Sequence, residues 1–298
     1  MAILRALLSF ILALYIFAAA PALATDLLIV QSTRHSSYTE ALNGFRNACN
    51  ARSRVVVLDD YAEVDVARLV REEQPVAILA VGDSALDAVK KIRRVPIVSL
   101  MSISPSTGKS MPPNVTGVRM TISPERYMTL FNALRLDRVG VIYNTARSGA
   151  YLRRARQSAE QAGVDLVLRE VDNPRETSHQ LASLKGKVDA LWLLPDSTAV
   201  TRETVEAYFF FSMEQRKPVI AFSAVYLSLG AAATLEIDRH GMGMQAGEVA
   251  NRLLKGASPA EIPFSDPLDI FLKTNPSVIR KLELNQQGLS KLTFEGRD

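Results

Sequence analysis

The chain has 298 residues, 48% of them hydrophobic and 22% charged, with a formal net charge of +4. That balance supports a substantial core and excludes a disordered or low-complexity protein. The densest basic run, Lys90, Lys91, Arg93 and Arg94, has no aromatic residues interleaved, so it reads as the solvated end of a helix and nucleic acid is not expected as a partner.

Residues 1–24 read MAILRALLSFILALYIFAAAPALA, with one basic residue (Arg5), an apolar stretch from Ala6 to Ala20, then Pro21 and the triplet Ala22-Leu23-Ala24. This is the layout of a secretory signal peptide, and cleavage is expected after Ala24. The rival reading is an uncleaved anchor, because about 20 apolar residues can span a bilayer. Pro21 and the Ala-x-Ala ending favour cleavage. The single cysteine, Cys49, rules out an internal disulfide, and its helical context reads as a buried, inert thiol.

From Thr25 onward, short apolar runs alternate with amphipathic helical patterns. Strands are expected at 27–31, 55–58, 76–81 and 96–101, with helices near 38–50, 64–73 and 84–92 between them. Residues 102–114, rich in Ser and Pro, read as a loop. The pattern then restarts with a helix near 124–135 behind Ser123-Pro124, strands at 139–143, 164–170, 188–194 and 218–223, and helices near 148–162, 176–185 and 201–216. Beyond 223 follow an apolar segment at 230–238, a helix near 239–255, and a short terminal helix near 276–283. Continuous apolar strands separated by helices predict an α/β protein with two doubly wound parallel-sheet lobes.

The two units share a corner. Gly82-Asp83-Ser84 follows one apolar strand, and Pro195-Asp196-Ser197 follows another. In an open parallel sheet, ligands bind beyond the carboxyl edge, where helix N-termini present free N–H groups. Asp and Ser are also ordinary helix caps worth about 1 kcal/mol each, so capping and ligand binding both remain open at these corners. Ser32 and Thr33, Ser99 and Ser102, Tyr143 and Asn144, and Ser223 and Tyr226 sit at other strand ends and are candidates by the same logic.

Catalytic motifs are not found. "TGKS" at 107–110 lacks the first Gly of a phosphate loop, since Ile103 stands there. "STGK" at 106–109 lacks the partner motifs of a Ser-x-x-Lys enzyme, and Ser84 lacks the Gly-x-Ser-x-Gly frame. His35, His179 and His240 have no metal-ligand spacing. No catalytic residue, metal or cofactor is expected. Trp192 reads as core, and "AYFFFSM" at 207–213, apolar all round, reads as deeply buried or as a lobe contact.

Several stretches carry a family resemblance: "NVTGV" (114–118), "RVGVIYN" (138–144), "VDALWLLPDSTAV" (188–200), "PVIAFS" (218–223) and "GAAATLEIDRHGMGMQAGEVANRLLKGASPAEIP" (230–263). Through most of residues 26–285 the chain resembles the type I periplasmic substrate-binding proteins of ABC transporters, in the branch with tryptophan- and tyrosine-binding members. The resemblance implies a monomeric, Venus-flytrap protein in the periplasm. Residues 25–121 with part of 236–275 would form one lobe, and 122–235 with part of 276–298 the other, joined by three crossovers. It would capture a small ligand, an amino acid or small carboxylate, and deliver it to an inner-membrane permease without chemistry of its own.

Carried over by position, the cleft would use Ser32, Thr33, Gly82, Asp83, Ser84, Ser102, Tyr143, Asn144, Asp196, Ser197, Ser223 and Asp238. On that reading Asp196→Ala would weaken binding and spare folding. Two departures stand out. The family's acidic-His-Pro stretch is here "TRHSSY" (33–38), and its paired acids after 223 are absent from "SAVYLSLG". Asp196 and Asp83 are left to hold an ammonium. The alternative is a periplasmic ligand sensor that docks on a receptor kinase or outer-membrane complex.

Overall fold

The computed structural model describes residues 26–106, 110–292 and 294, so the leader, its Ala24 junction and Thr107 to Lys109 of the "TGKS" motif lie outside the described residues. The first sheet is built from β1 (Leu27–Gln31), β2 (Ser53–Val57), β3 (Ala77–Val81), β4 (Ile97–Leu100) and β5 (Val115–Gly117), in the order β2-β1-β3-β4-β5. Every pair is parallel. β1, β3, β4 and β5 are buried at every position, which explains why their sequences run apolar instead of alternating. Helices α1 (Ser36–Ala48), α2 (Val66–Glu73) and α3 (Asp83–Val89) connect them.

The second sheet repeats that order. β6 (Arg138–Tyr143), β7 (Asp165–Glu170), β8 (Ala190–Trp192), β9 (Val219–Ala221) and β10 (Ala233–Ile237) run parallel, and β11 (Ile270–Thr274) adds an antiparallel edge strand beside β10, in the order β11-β10-β9-β8-β6-β7. The helices among these strands are α4 (Pro124–Leu134), α5 (Thr145–Ala162), α6 (Thr177–Ser183) and α7 (Val205–Gln215). The α/β class with two doubly wound sheets is therefore as the sequence led one to expect. Neither β5 nor the antiparallel β11 was anticipated.

One expectation fails in α7. Tyr208 and Phe211, one turn apart, fill the core beneath β9, but Phe210 and Met213 are 66% and 72% exposed. The helix buries one stripe only, so its all-round apolar sequence does not mean all-round burial.

Three passages of chain link the sheets. Residues 118–123 lead from β5 to α4. Asp238 leads from β10 to α8 (Arg239–Leu254), whose Met242, Ala246, Val249 and Ala250 join the core of the first sheet. Residues 262–269 return to β11. The passages are tied to one another: Arg119 Nη1 donates to the Phe264 carbonyl at 2.7 Å, the Asp238 N–H donates to Asp269 O at 3.1 Å, and Gln245 Nε2 donates to Ser265 Oγ at 2.8 Å. Asp266 pairs with both Arg119 and Arg154. α9 (Pro276–Lys281) and α10 (Gln286–Leu289) close the second lobe.

α8 reaches the first lobe by lying almost backbone to backbone on α1. A Cβ on Gly44 would land inside the His240 carbonyl, and one on Gly243 inside the Ala41 carbonyl. Overpacking of this kind typically costs about 1–3 kcal/mol. Gly44→Ala is therefore expected to lower unfolding stability by that amount in urea titrations, because α1 and α8 must separate.

Candidate ligand-binding site

Between the two sheets lies a cavity of about 360 Å³. Met101 and Ile103 reach it from the carboxyl end of β4, and Met120, Thr121 and Ile122 from the first linking passage. Leu194 and Pro195 follow β8, Phe222 and Ser223 follow β9, and Arg239 and Met242 open α8. Tyr127 on α4 and Tyr151 on α5 complete a mostly apolar wall. Both sheets thus contribute their carboxyl edges, where open α/β sheets place ligands.

Behind this wall stands Trp192, 1% exposed, with its ring centroid 4.7 Å from Tyr127 and 5.9 Å from Tyr151. Burial raises the pKa of both phenols well above the ordinary tyrosine value, so they stay neutral at physiological pH. Tyr151 Oη donates to the Ile122 carbonyl at 2.9 Å, which ties α5 to the first linking passage.

Of the twelve cleft residues expected from the resemblance, Ser223 alone lines the cavity among the described residues, beside Pro195 of the second corner. Ser32, Gly82, Asp83 and Ser102 belong to one packed cluster outside the lining, and Asn144 and Asp196 to another. In the first lobe, Ser32 Oγ accepts from Ala85 N at 2.9 Å and so caps α3. Gly82, at φ +90°, packs against that hydroxyl and against Tyr38. Asp83 turns away from its own helix. Its Oδ1 accepts from Ser102 Oγ (2.5 Å), Ser104 N (2.9 Å) and Ser104 Oγ (2.6 Å), and its Oδ2 from Ile103 N (3.1 Å). The carboxylate thus fixes the loop that carries Ile103 to the cavity. Burial works to raise its pKa, but the bonds from Ser102, Ser104 and Ile103 outweigh that and hold it below the ordinary value. A depressed folded-state pKa means that this stabilisation is present above the ordinary aspartate range and is lost as pH falls through the folded value. Thr33 is half-buried and Ser84 exposed.

In the second lobe, Asp196 is 1% exposed and does not line the cavity. Its Oδ1 accepts from Thr198 N and Ala199 N, both at 3.0 Å, and its Oδ2 from Asn144 N at 2.8 Å and Ser148 Oγ at 2.7 Å. Four donors fill the usual acceptor capacity of a carboxylate. Asn144 in turn caps α5, accepting from Ala146 N at 3.1 Å, and Tyr143 ends β6 half-buried beside it. Ser197 is exposed. Asp238 is half-buried with Oδ2 against Gly241 and lies outside the lining.

The residues missed from the sequence are those on helix faces and linking passages. Arg147 lies in the first turn of α5, borders the cavity, and has no hydrogen bond or ion pair on its guanidinium among the described residues. Its position three residues beyond Tyr143-Asn144 was the available signal. Glu236 and Arg239 also border the cavity, but both are engaged. Glu236 Oε1 accepts from Ala224 N and Oε2 from Lys273 Nζ, each at 2.5 Å, and Arg239 reaches Glu40 at 3.4 Å. Burial acts to raise the pKa of Glu236, but Lys273 and the Ala224 N–H prevail and keep it below its ordinary value. Among the described residues, no group of three or more His, Cys, Asp or Glu is placed to hold a metal ion.

Two lobes of repeated topology, three linking passages and one cavity between carboxyl edges define a bilobed α/β architecture. The model of the family "ABC transporter substrate binding protein" matches residues 58–295, and the chain belongs to that family. The tyrosine-binding protein of Clostridioides difficile (strain R20291) is 24% identical over 185 residues, 61% of this chain and 53% of that protein. An uncharacterized protein of Rickettsia prowazekii (strain Madrid E) is 33% identical over 85 residues, 28% of each chain. The match thus spans about half of the first relative and less than a third of the second. Among solved structures, the ligand-free, open form of a substrate binding protein with adhesive properties from Clostridium difficile superposes with a TM-score of 0.67 at 20% identity, covering 86% of this chain and 94% of that one. An ABC domain in complex with L-Trp from Streptococcus pneumoniae gives 0.58 at 18% identity, covering 89% and 97%. These likenesses establish the type I binding-protein fold.

The placement of Asp196 reverses the expectation that its loss would spare folding. Asp196→Ala leaves four donors without their acceptor, and is expected to cost about 3 kcal/mol or more in urea unfolding. Asn144 and the first turn of α5 are predicted to lose amide-exchange protection first.

Proposed function

We propose that this is an exported solute-binding protein that closes its lobes on one small molecule in the inter-lobe cavity and delivers it to an inner-membrane ABC permease. The observation that carries the reading is the cavity itself, walled by both carboxyl edges and by the linking passages. A solute seated there touches both lobes, and a closed arrangement makes more of those contacts than an open one. Binding therefore biases the lobe equilibrium by its differential affinity, and the permease needs only to recognise the closed form. Membership of the substrate-binding family supports the role.

Export and periplasmic residence rest on the signal-peptide layout of residues 1–24. The names of two similar proteins, one a tyrosine-binding protein and one seen with L-Trp, make aromatic solutes the first to try. The wall suits them, since Tyr and Met side chains offer adaptable apolar contact. The polar groups at the rim orient a solute, and no catalytic step is required of them.

A thermal-shift screen against amino acids, small carboxylates and nucleobases tests the reading. A true ligand at 100 times its dissociation constant adds about 2.7 kcal/mol of stability. It should also change the emission of Trp192, the chain's single tryptophan, because that ring packs directly behind two cavity tyrosines. A screen in which nothing raises the melting temperature and nothing perturbs Trp192 would contradict solute binding.

A further inference from the structure

We propose that the solute is a monocarboxylate with an apolar or aromatic body, held through its carboxylate by Arg147, and that an α-ammonium group is not part of what the site recognises. This rests on the solute-binding reading above and narrows its substrate class. Three charged side chains border the cavity among the described residues: Arg147, Arg239 and Glu236. Arg239 is shared with Glu40, and Glu236 is neutralised by Lys273 with both oxygens occupied. Arg147, exposed at the rim, remains as the bordering cation without an ion-pair partner among the described residues. It stands in the first turn of α5 and borders the cavity. A guanidinium offers a planar fork that matches a carboxylate.

An amino acid would need a second, opposite site for its ammonium, and the one acid that borders the cavity among the described residues, Glu236, is already paired. Asp196 accepts from four protein donors, and Asp83 from four donors of the loop it fixes, and neither borders the cavity. Asp238 is turned against Gly241, outside the lining. Glu236 would have to accept a second ammonium next to that of Lys273. The hydroxyls of Ser148 and Ser223 can accept a hydrogen bond, but they neutralise no charge. Enclosing a cation without a counter-charge is costly, so the zwitterion forfeits at its ammonium part of what it gains at its carboxylate. Met101, Met120, Met242, Ile122, Tyr127 and Tyr151 supply the surface for the apolar body.

Three compounds with one skeleton separate the terms: 3-phenylpropionate, L-phenylalanine and 2-phenylethylamine, each titrated calorimetrically into the full chain, with Trp192 emission as the second readout. The acid is expected to bind, the amino acid at least tenfold more weakly, and the amine not measurably. Arg147→Ala should weaken the acid tenfold or more, equivalent to about 1.4 kcal/mol, with Arg147→Lys recovering part of it and both variants melting like the parent. L-phenylalanine binding as tightly as the acid, or any binding of the amine, overturns the charge inference and leaves solute binding intact. An acid that binds Arg147→Ala undiminished removes Arg147 from the site. If none of the three binds, the inference is overturned, and the wider screen alone then decides whether the protein binds a solute.

Discussion

A buried carboxylate with no cationic partner among the described residues, Asp196, holds the second lobe's side of the cavity in place. Its charge is met by three backbone N–H groups and one hydroxyl drawn from two stretches of chain far apart in sequence. That arrangement fixes where α5 begins, and therefore where Arg147 and Tyr151 stand. Asp83 does the corresponding work in the first lobe by gripping residues 102–104. The two strand-to-helix corners are thus alike in function as well as in composition: each spends its acid on shaping a wall.

Placing the acids behind the wall changes what the cavity can recognise. A carboxylate whose oxygens are taken up by its own protein keeps its charge but offers a ligand ammonium no direct hydrogen bond. The space left between the lobes is mostly apolar, backed by the Tyr127–Trp192–Tyr151 cluster, and Arg147 at its edge has no ion pair among the described residues. On the proposed reading such a surface favours a solute with an apolar body and a single negative end. The linking passages border the same space, so a solute bound there, as proposed, would bear directly on the segments that join the lobes. Asp266, between Arg119 and Arg154, sits where those segments converge.

Much of the fold was legible because strands buried on both faces must be apolar throughout, and helices alternating with them must be amphipathic. Runs such as Leu27–Gln31 and Ala77–Val81 admit little else. β5 was hidden because it is three residues long and follows a Ser- and Pro-rich loop. β11 was hidden because its exposed Phe271 and Lys273 break the apolar run, as expected of an edge strand. The corners were also legible as places. Their roles were not, because whether an aspartate faces a ligand or its own backbone depends on donors 20 to 50 residues away, such as Ser104 and Asn144. Arg147, Tyr127, Tyr151 and Met120 escaped notice for a related reason. Tyr127 and Tyr151 meet on Trp192 within the second lobe, and Met120 joins them from the linking passage, so their place on a cavity wall depends on tertiary packing that helix periodicity alone does not show.

The central claim is that the space between the lobes is where the solute sits. The most direct test is to fill it. Thr121 borders the cavity on the first linking passage, half-buried, its hydroxyl 3.3 Å from Ser106 Oγ. Calorimetric titration of Thr121→Trp with L-tyrosine, L-phenylalanine and 3-phenylpropionate should give no heat of binding for any of them that the parent protein takes up, while the unfolding midpoint stays near that of the parent. Undiminished affinity in the filled variant would place the solute elsewhere on the molecule and contradict the account.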